Sequence, residues 1–223
     1  MLTVRAAIFD FNGTLSDDEP ILYRVFSALT ALHFDHELTE RDYFDRLAGR
    51  SDREIIDLLV AECRPGLLAD ERRAMVDALL DERREMYRHI VAESCPILPG
   101  TEALVKDLVA RNIPLAIVTG AQRPDVLHVL AHSPLTDVFA HIVTEEDVTH
   151  GKPDPEGFLI AARLLGADPS DILVCEDSIA GVRAAKAAGM HVVAVTGTHD
   201  KATLEAETDL VVDALSPEVL ALL

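Results

Sequence analysis

A carboxylate, Asp10, stands at the end of the first apolar run of this chain. Thr119-Gly120, Lys152-Pro153 and Glu176-Asp177 follow in order at the ends of later segments. Together these groups have one chemical logic. A carboxylate can attack phosphorus and form an acyl phosphate. A hydroxyl and nearby backbone N–H groups can hold phosphoryl oxygens. A lysine can neutralise those oxygens and orient the nucleophile. Further carboxylates can hold Mg²⁺, which takes oxygen ligands and substrate phosphate. Asn12, two residues after Asp10, is the odd member. Its amide cannot give or take a proton as a carboxyl does, although its backbone carbonyl can still bind a metal.

The elements that must position these groups are legible around them. Val4–Phe9, Leu115–Val118, Ile172–Cys175 and His191–Val195 are short and continuously apolar, as strands buried on both faces are. Ala140–Val143 and Leu210–Val212 are weaker strand candidates. Helical patterns alternate with them: Thr101–Ala110 after Pro99-Gly100, Asp125–Ala131 after Pro124, Pro155–Leu165 before Gly166, and Ser178–Ala188 before Gly189. Such alternation predicts an α/β fold, a three-layer Rossmann-like core with a parallel sheet. In such sheets functional groups collect where the strands end. Residues 17–95 differ. They carry charged helical patterns and no convincing strand, with a long helix over Arg72–Ile90 whose charges occupy its outer positions. The expected organisation is a core of residues 1–16 and 96–223 interrupted by an α-helical cap, residues 17–95.

Composition narrows the partners. Lys+Arg of 20 against Asp+Glu of 39 gives a net charge of −19, which repels nucleic acid and anionic membrane. Metal cations and small molecules fit better, and an anionic substrate needs local positive charge. Aromatics are only 4% of a chain that is 49% hydrophobic, so Ala, Val, Leu and Ile must build the core. Cys63, Cys95 and Cys175 are an odd number without tight spacing, which argues against disulfides or a zinc site. The nine histidines read as surface or core residues without paired spacing. The N-terminus lacks the pattern of a signal peptide, and no apolar run reaches the ~18 residues of a membrane span. A cytoplasmic protein, monomeric or weakly dimeric, is expected.

The segments DFNGTL (10–15), VTGA (118–121), GKPDPEGF (151–158) and CEDSIAGVRAAKAAGM (175–190) resemble, in order, those of the haloacid dehalogenase-like superfamily. The resemblance is to its helical-capped branch of sugar phosphatases and β-phosphoglucomutases, and it spans nearly the whole chain. LAGRSDREII (47–56) looks like that branch's substrate loop. The resemblance implies Asp10 as nucleophile and metal ligand. It also implies Mg²⁺ ligation by the Asn12 carbonyl and Asp177, with Glu176 beside them, and phosphoryl contacts from Thr119, Gly120, Ala121 and Lys152. Gly49, Arg50, Ser51 and Arg53 would face the substrate. A solvated, salt-bridged face is the competing reading of Arg50 and Arg53.

In the family's phosphatases and mutases an Asp stands two residues after the nucleophile and serves as general acid and base. With Asn12 in that place, about 10²–10⁴-fold of rate is at stake, mostly on alkyl phosphates with poor leaving groups. A good leaving group, a borrowed acid, a binding role or an altered ancestral Asp would each account for it. Deamidation at Asn12-Gly13 would restore a carboxyl. Lysine is absent from residues 17–95, which argues against a Schiff-base phosphonatase. Leu22 stands where mutases carry a histidine. The sequence therefore predicts a Mg²⁺-dependent phosphohydrolase of a small phosphorylated metabolite. A β-phosphoglucomutase-like isomerase and a non-catalytic phosphometabolite-binding protein are the alternatives. Hinges for the cap are expected at Leu15–Asp18 and Ser94–Pro99.

Overall fold

The computed structural model describes residues 4–48, 50–93, 95–208 and 210–222. The chain divides into two compact units, Met1–Asp17 with Cys95–Leu223, and Asp18–Ser94. The first is built on six strands: β1 (Ala6–Phe9), β2 (Leu115–Val118), β3 (His141–Val143), β4 (Ile172–Glu176), β5 (His191–Val195) and β6 (Val211–Val212). They form one sheet of order β3-β2-β1-β4-β5-β6 in which every pairing is parallel. Every residue of β1, β2 and β4 is buried, which explains why these strands read as unbroken apolar runs.

Ala6 and Ile8 of β1 lie in one apolar cluster with Ala116, Ile172 and Val174 of their neighbours. Two helices of this unit, Glu156–Leu165 and Ile179–Ala187, close that face with Phe158, Ala161, Val182 and Ala185. The alternate residues Ala7, Phe9, Ile117 and Cys175 point to the opposite face and are buried as well. Helices Pro99–Ala110 and Arg123–Ala131 bury Leu104, Leu108, Val126 and Val129. Both begin two residues before the expected position, because their prolines occupy the first turn, where no N–H is needed.

The chain runs from β1 outward to β2 and β3, then returns to the other side of β1 for β4. The switch point therefore lies between β1 and β4. Their register pairs Phe9 with Cys175, so the residues that follow, Asp10 and Glu176, emerge side by side. A crevice at such a point is where open α/β sheets bind ligands. The segments that lead out of and back into this unit are stitched together. Asp17 N–H donates to Pro96 O at 2.9 Å and Leu98 N–H to Leu15 O at 3.0 Å.

Among the described residues the second unit's regular elements are helices: α1 (Glu19–Phe34), α2 (Glu40–Arg46), α3 (Asp52–Cys63) and α4 (Ala69–Glu93). Its core includes Leu22, Phe26, Tyr43, Ile55, Leu59, Leu80 and Tyr87. The long helix departs from its sequence reading at one charge. Arg83 is buried rather than outward, ion-paired to Asp52 at 3.2 Å with its guanidinium 4.6 Å from the Tyr87 ring centre. Periodicity cannot tell a solvated arginine from one whose partner arrives on another helix. Histidine spacing also needs correction. His128 and His132 are one turn apart, their ring centres 4.5 Å from each other. No helix among the described residues is long and apolar enough to cross a membrane.

Candidate active site

β1 delivers Asp10 to its carboxyl end, and a tight turn follows. Leu15 and Ser16 N–H both donate to Phe11 O at 2.9 Å, and Gly13 N–H donates to Ser16 O at 2.7 Å. That last bond occupies the nitrogen that would attack the Asn12 side chain, so deamidation in the folded state requires opening the turn. Gly13 adopts φ +80°, and a Cβ built on it would lie 2.2 Å from Asp177 Oδ2. Only glycine allows both the conformation and the close approach.

β4 ends in Glu176 and runs into Asp177. One carboxylate oxygen from each of Asp10, Glu176 and Asp177 lies within 4.8 Å of the other two, and all three residues are buried. An all-oxygen, all-carboxylate set is what a hard divalent cation takes. Glu176 is already heavily engaged. Its Oε2 accepts from Asp177 N–H, Ser178 N–H and Ser178 Oγ at 2.8–2.9 Å. Its Oε1 accepts from Lys152 Nζ at 2.6 Å. A Cβ on Gly181 would sit 1.7 Å from that oxygen, so the first turn of the following helix must carry a glycine there.

Lys152 differs from its expected place at a strand end. It lies on the connection between β3 and helix Glu156–Leu165 and reaches the carboxylates by the length of its side chain. Nζ donates to Asp10 Oδ1 as well as to Glu176, and stands 5.4 Å from the Phe158 ring centre. Burial alone would lower its pKa, but Asp10 and Glu176 reverse that and hold it above the usual lysine range. Burial raises the Asp10 carboxyl, Lys152 pulls it back, and Glu176 and Asp177 push it up again. Burial, then the Glu176 charge, brings Asp177 up to about 7 against the pull of the neighbouring Thr198 hydroxyl, the Lys152 charge and the Thr14 hydrogen bond.

Thr119 follows β2. Its Oγ1 accepts from Ala121 N–H at 3.0 Å, which leaves the hydroxyl proton available to a ligand. Gly120 is exposed, and a Cβ there would meet nothing within 4 Å.

In the helical unit the predicted substrate residues have local partners. Gly49 lies outside the described residues, as does Ser94 of the second expected hinge. Ser51 is the N-cap of α3 in a reciprocal capping box with Glu54. The spacing Ser-x-x-Glu was visible in the sequence and signals that role. Arg53 turns to α4 and pairs with Asp77 at 2.8 Å. Arg50 donates Nε to Arg46 O at 2.9 Å and makes no ion pair among the described residues. Leu22 is packed into the helical core. Sequence reasoning passed over Thr14, whose Oγ1 donates to Asp177 Oδ1 at 3.1 Å.

The family model described as haloacid dehalogenase-like hydrolase matches residues 7–195. Hexitol phosphatase A of Escherichia coli (strain K12) is 33% identical over 93% of this chain and 90% of its own. (DL)-glycerol-3-phosphatase 2 of Arabidopsis thaliana is 35% identical over 86% of this chain and 80% of its own. Among solved structures, a β-phosphoglucomutase from Clostridium difficile is 27% identical, with a TM-score of 0.77 over 95% of this chain and 91% of that one.

Proposed function

The chain belongs to the haloacid dehalogenase-like hydrolase family and is a phosphatase, and from that premise we propose that it hydrolyses phosphate monoesters of small polyols or sugars through a phosphorylated Asp10. The observation that carries this reading is the Lys152 ammonium shared between Asp10 and Glu176 at the β1–β4 switch point, with Asp177 beside them. Relatives named for hexitol and glycerol 3-phosphate support the substrate class.

The proposed roles draw on this geometry. Lys152 opposes the protonation that burial favours at Asp10 and offers positive charge to an incoming phosphoryl group in a strongly acidic protein. Thr119 donates its hydroxyl proton to a phosphoryl oxygen, while Ala121 N–H fixes the hydroxyl's direction. The cation would be Mg²⁺, which carboxylates of Asp10 and Asp177 and the Asn12 carbonyl would hold. Glu176 aims Lys152 and ties down the start of the next helix. When bound, Mg²⁺ neutralises charge on the transferring phosphoryl group. Asp10 attacks phosphorus, and the P–O bond to the alcohol breaks. Water then attacks the acyl phosphate, releasing phosphate and restoring the carboxylate. Asn12 supplies no proton to the leaving alkoxide, so that proton comes from water. Residues 17–95 act as a cap, with Arg50 as its anion contact.

The mutase alternative is disfavoured, because Leu22 is an apolar core residue of α1 and Asn12 has no proton to exchange. Phosphate release by the parent and Asn12→Asp, on an aryl phosphate and on hexitol and glycerol phosphates, tests the reading. Asp10→Asn serves as the blank. Asn12→Asp should gain about 10²–10⁴-fold on the alkyl esters and little on the aryl ester. If parent and Asn12→Asp both stay at the blank on every ester, the phosphatase reading fails.

A further inference from the structure

Helix Arg123–Ala131 carries none of the clustered carboxylates, but its C-terminal end carries two imidazoles. His128 and His132 are four residues apart, so both side chains leave the same helix face. Their ring centres are 4.5 Å from each other and the ring planes meet at 47°. His132 is exposed and His128 is half-buried. His132 is the C-cap of the helix, and its Nδ1 lies 2.8 Å from His128 O. A carbonyl can only accept, so Nδ1 carries the proton and the lone pair of the neutral ring is on Nε2. Backbone carbonyls fix the tautomer and direction of metal-ligating histidines in this way. An imidazole has two nitrogens, so His128 can keep a local hydrogen bond on one and ligate through the other.

We infer that His128 and His132 form a two-point chelate for a late first-row transition cation, Cu²⁺ most tightly, with Ni²⁺ and Zn²⁺ bound more weakly. Two histidines one helical turn apart are the arrangement by which helical zinc sites hold their metal. A shared metal about 2.0–2.1 Å from each nitrogen sets those nitrogens about 3 Å apart. Rings whose centres are 4.5 Å apart reach that span by side-chain rotation. The position favours a cation twice over. A helix ends in carbonyls that carry negative partial charge, and the net charge of −19 draws cations to the surface. Among the described residues no third His, Cys, Asp or Glu joins the pair, so water fills the remaining coordination positions. Nitrogen ligands set this site apart from the all-carboxylate set of Asp10, Glu176 and Asp177, which suits Mg²⁺.

The test is electron paramagnetic resonance of the full chain with one equivalent of Cu²⁺ and excess Mg²⁺, for the parent, His128→Gln and His132→Gln. The parent should show hyperfine splitting from two nitrogen ligands, and each variant from one at most. Calorimetric titration under the same conditions should show Cu²⁺ binding roughly 10²-fold weaker in each variant, as expected when one of two attachment points is lost. A parent spectrum with oxygen ligands only overturns the assignment. So does a parent-like spectrum or affinity in either variant, which would place Cu²⁺ on other groups of this nine-histidine chain.

Discussion

Replacing Lys152 by methionine removes the cation that touches both Asp10 and Glu176. Methionine keeps most of the apolar stem beside Phe158, so the loss is mainly electrostatic. Glu176 is fully buried and the Lys152 side chain is 16% exposed, so little water can take over. Deleting one partner of a buried ion pair costs about 3–5 kcal/mol, because the remaining charge stays buried. Here two carboxylates are left. At roughly 2–4 °C per kcal/mol for a chain of this size, the melting temperature of the metal-free variant should fall by about 6–20 °C near neutral or higher pH. The pH dependence has a definite sign. Burial already raises the Asp10 carboxyl and Lys152 opposes it, so without the lysine the folded-state pKa rises further while the unfolded value stays. The folded variant then holds a proton that the unfolded chain has lost. The penalty is present above the folded pKa and shrinks as pH falls toward the unfolded value. Thermal unfolding of parent and variant in chelator, at about pH 5 and about pH 8, measures this. A loss below about 1 kcal/mol at the higher pH, or a loss no smaller at the lower one, would refute the electrostatic account.

Two further outcomes follow from the same cluster. Gly181→Ala should lower both stability and turnover, because its Cβ would sit 1.7 Å from Glu176 Oε1. Alanine is the better helix former by up to about 1 kcal/mol, so a raised melting temperature would show that Glu176 can yield. For the metal-free parent, Asp177 binds its proton more tightly in the fold, at about 7, than at the ordinary value of 3.8. Its contribution is fully present below 3.8 and is lost as pH rises through about 7. Mg²⁺ needs the ionised carboxylate, so the rise in melting temperature on adding Mg²⁺ should be larger at about pH 8 than at about pH 5, and an equal rise at both would count against it.

Some of this molecule was determined by sequence alone. β2 and β5 occupy the residues their apolar runs marked, Leu115–Val118 and His191–Val195. A strand buried on both faces needs such a run, and a helix start needs its cap or proline. These are requirements of neighbours along the chain, so they are written locally. The family segments carried Asp10, Thr119, Lys152 and Glu176-Asp177 in the same way. Tertiary structure alone decided what meets what. Arg83 looked like a surface charge until Asp52 came to it from α3. Arg53 turned to Asp77, and the second oxygen of Glu176 went to the backbone of Asp177 and Ser178. Thr14 was passed over although it lies within the DFNGTL segment, yet it donates to the Asp177 carboxylate 163 residues further on. A hydrogen bond between distant segments leaves no periodicity in either one. It exists only once a parallel sheet has brought the ends of β1 and β4 to the same edge.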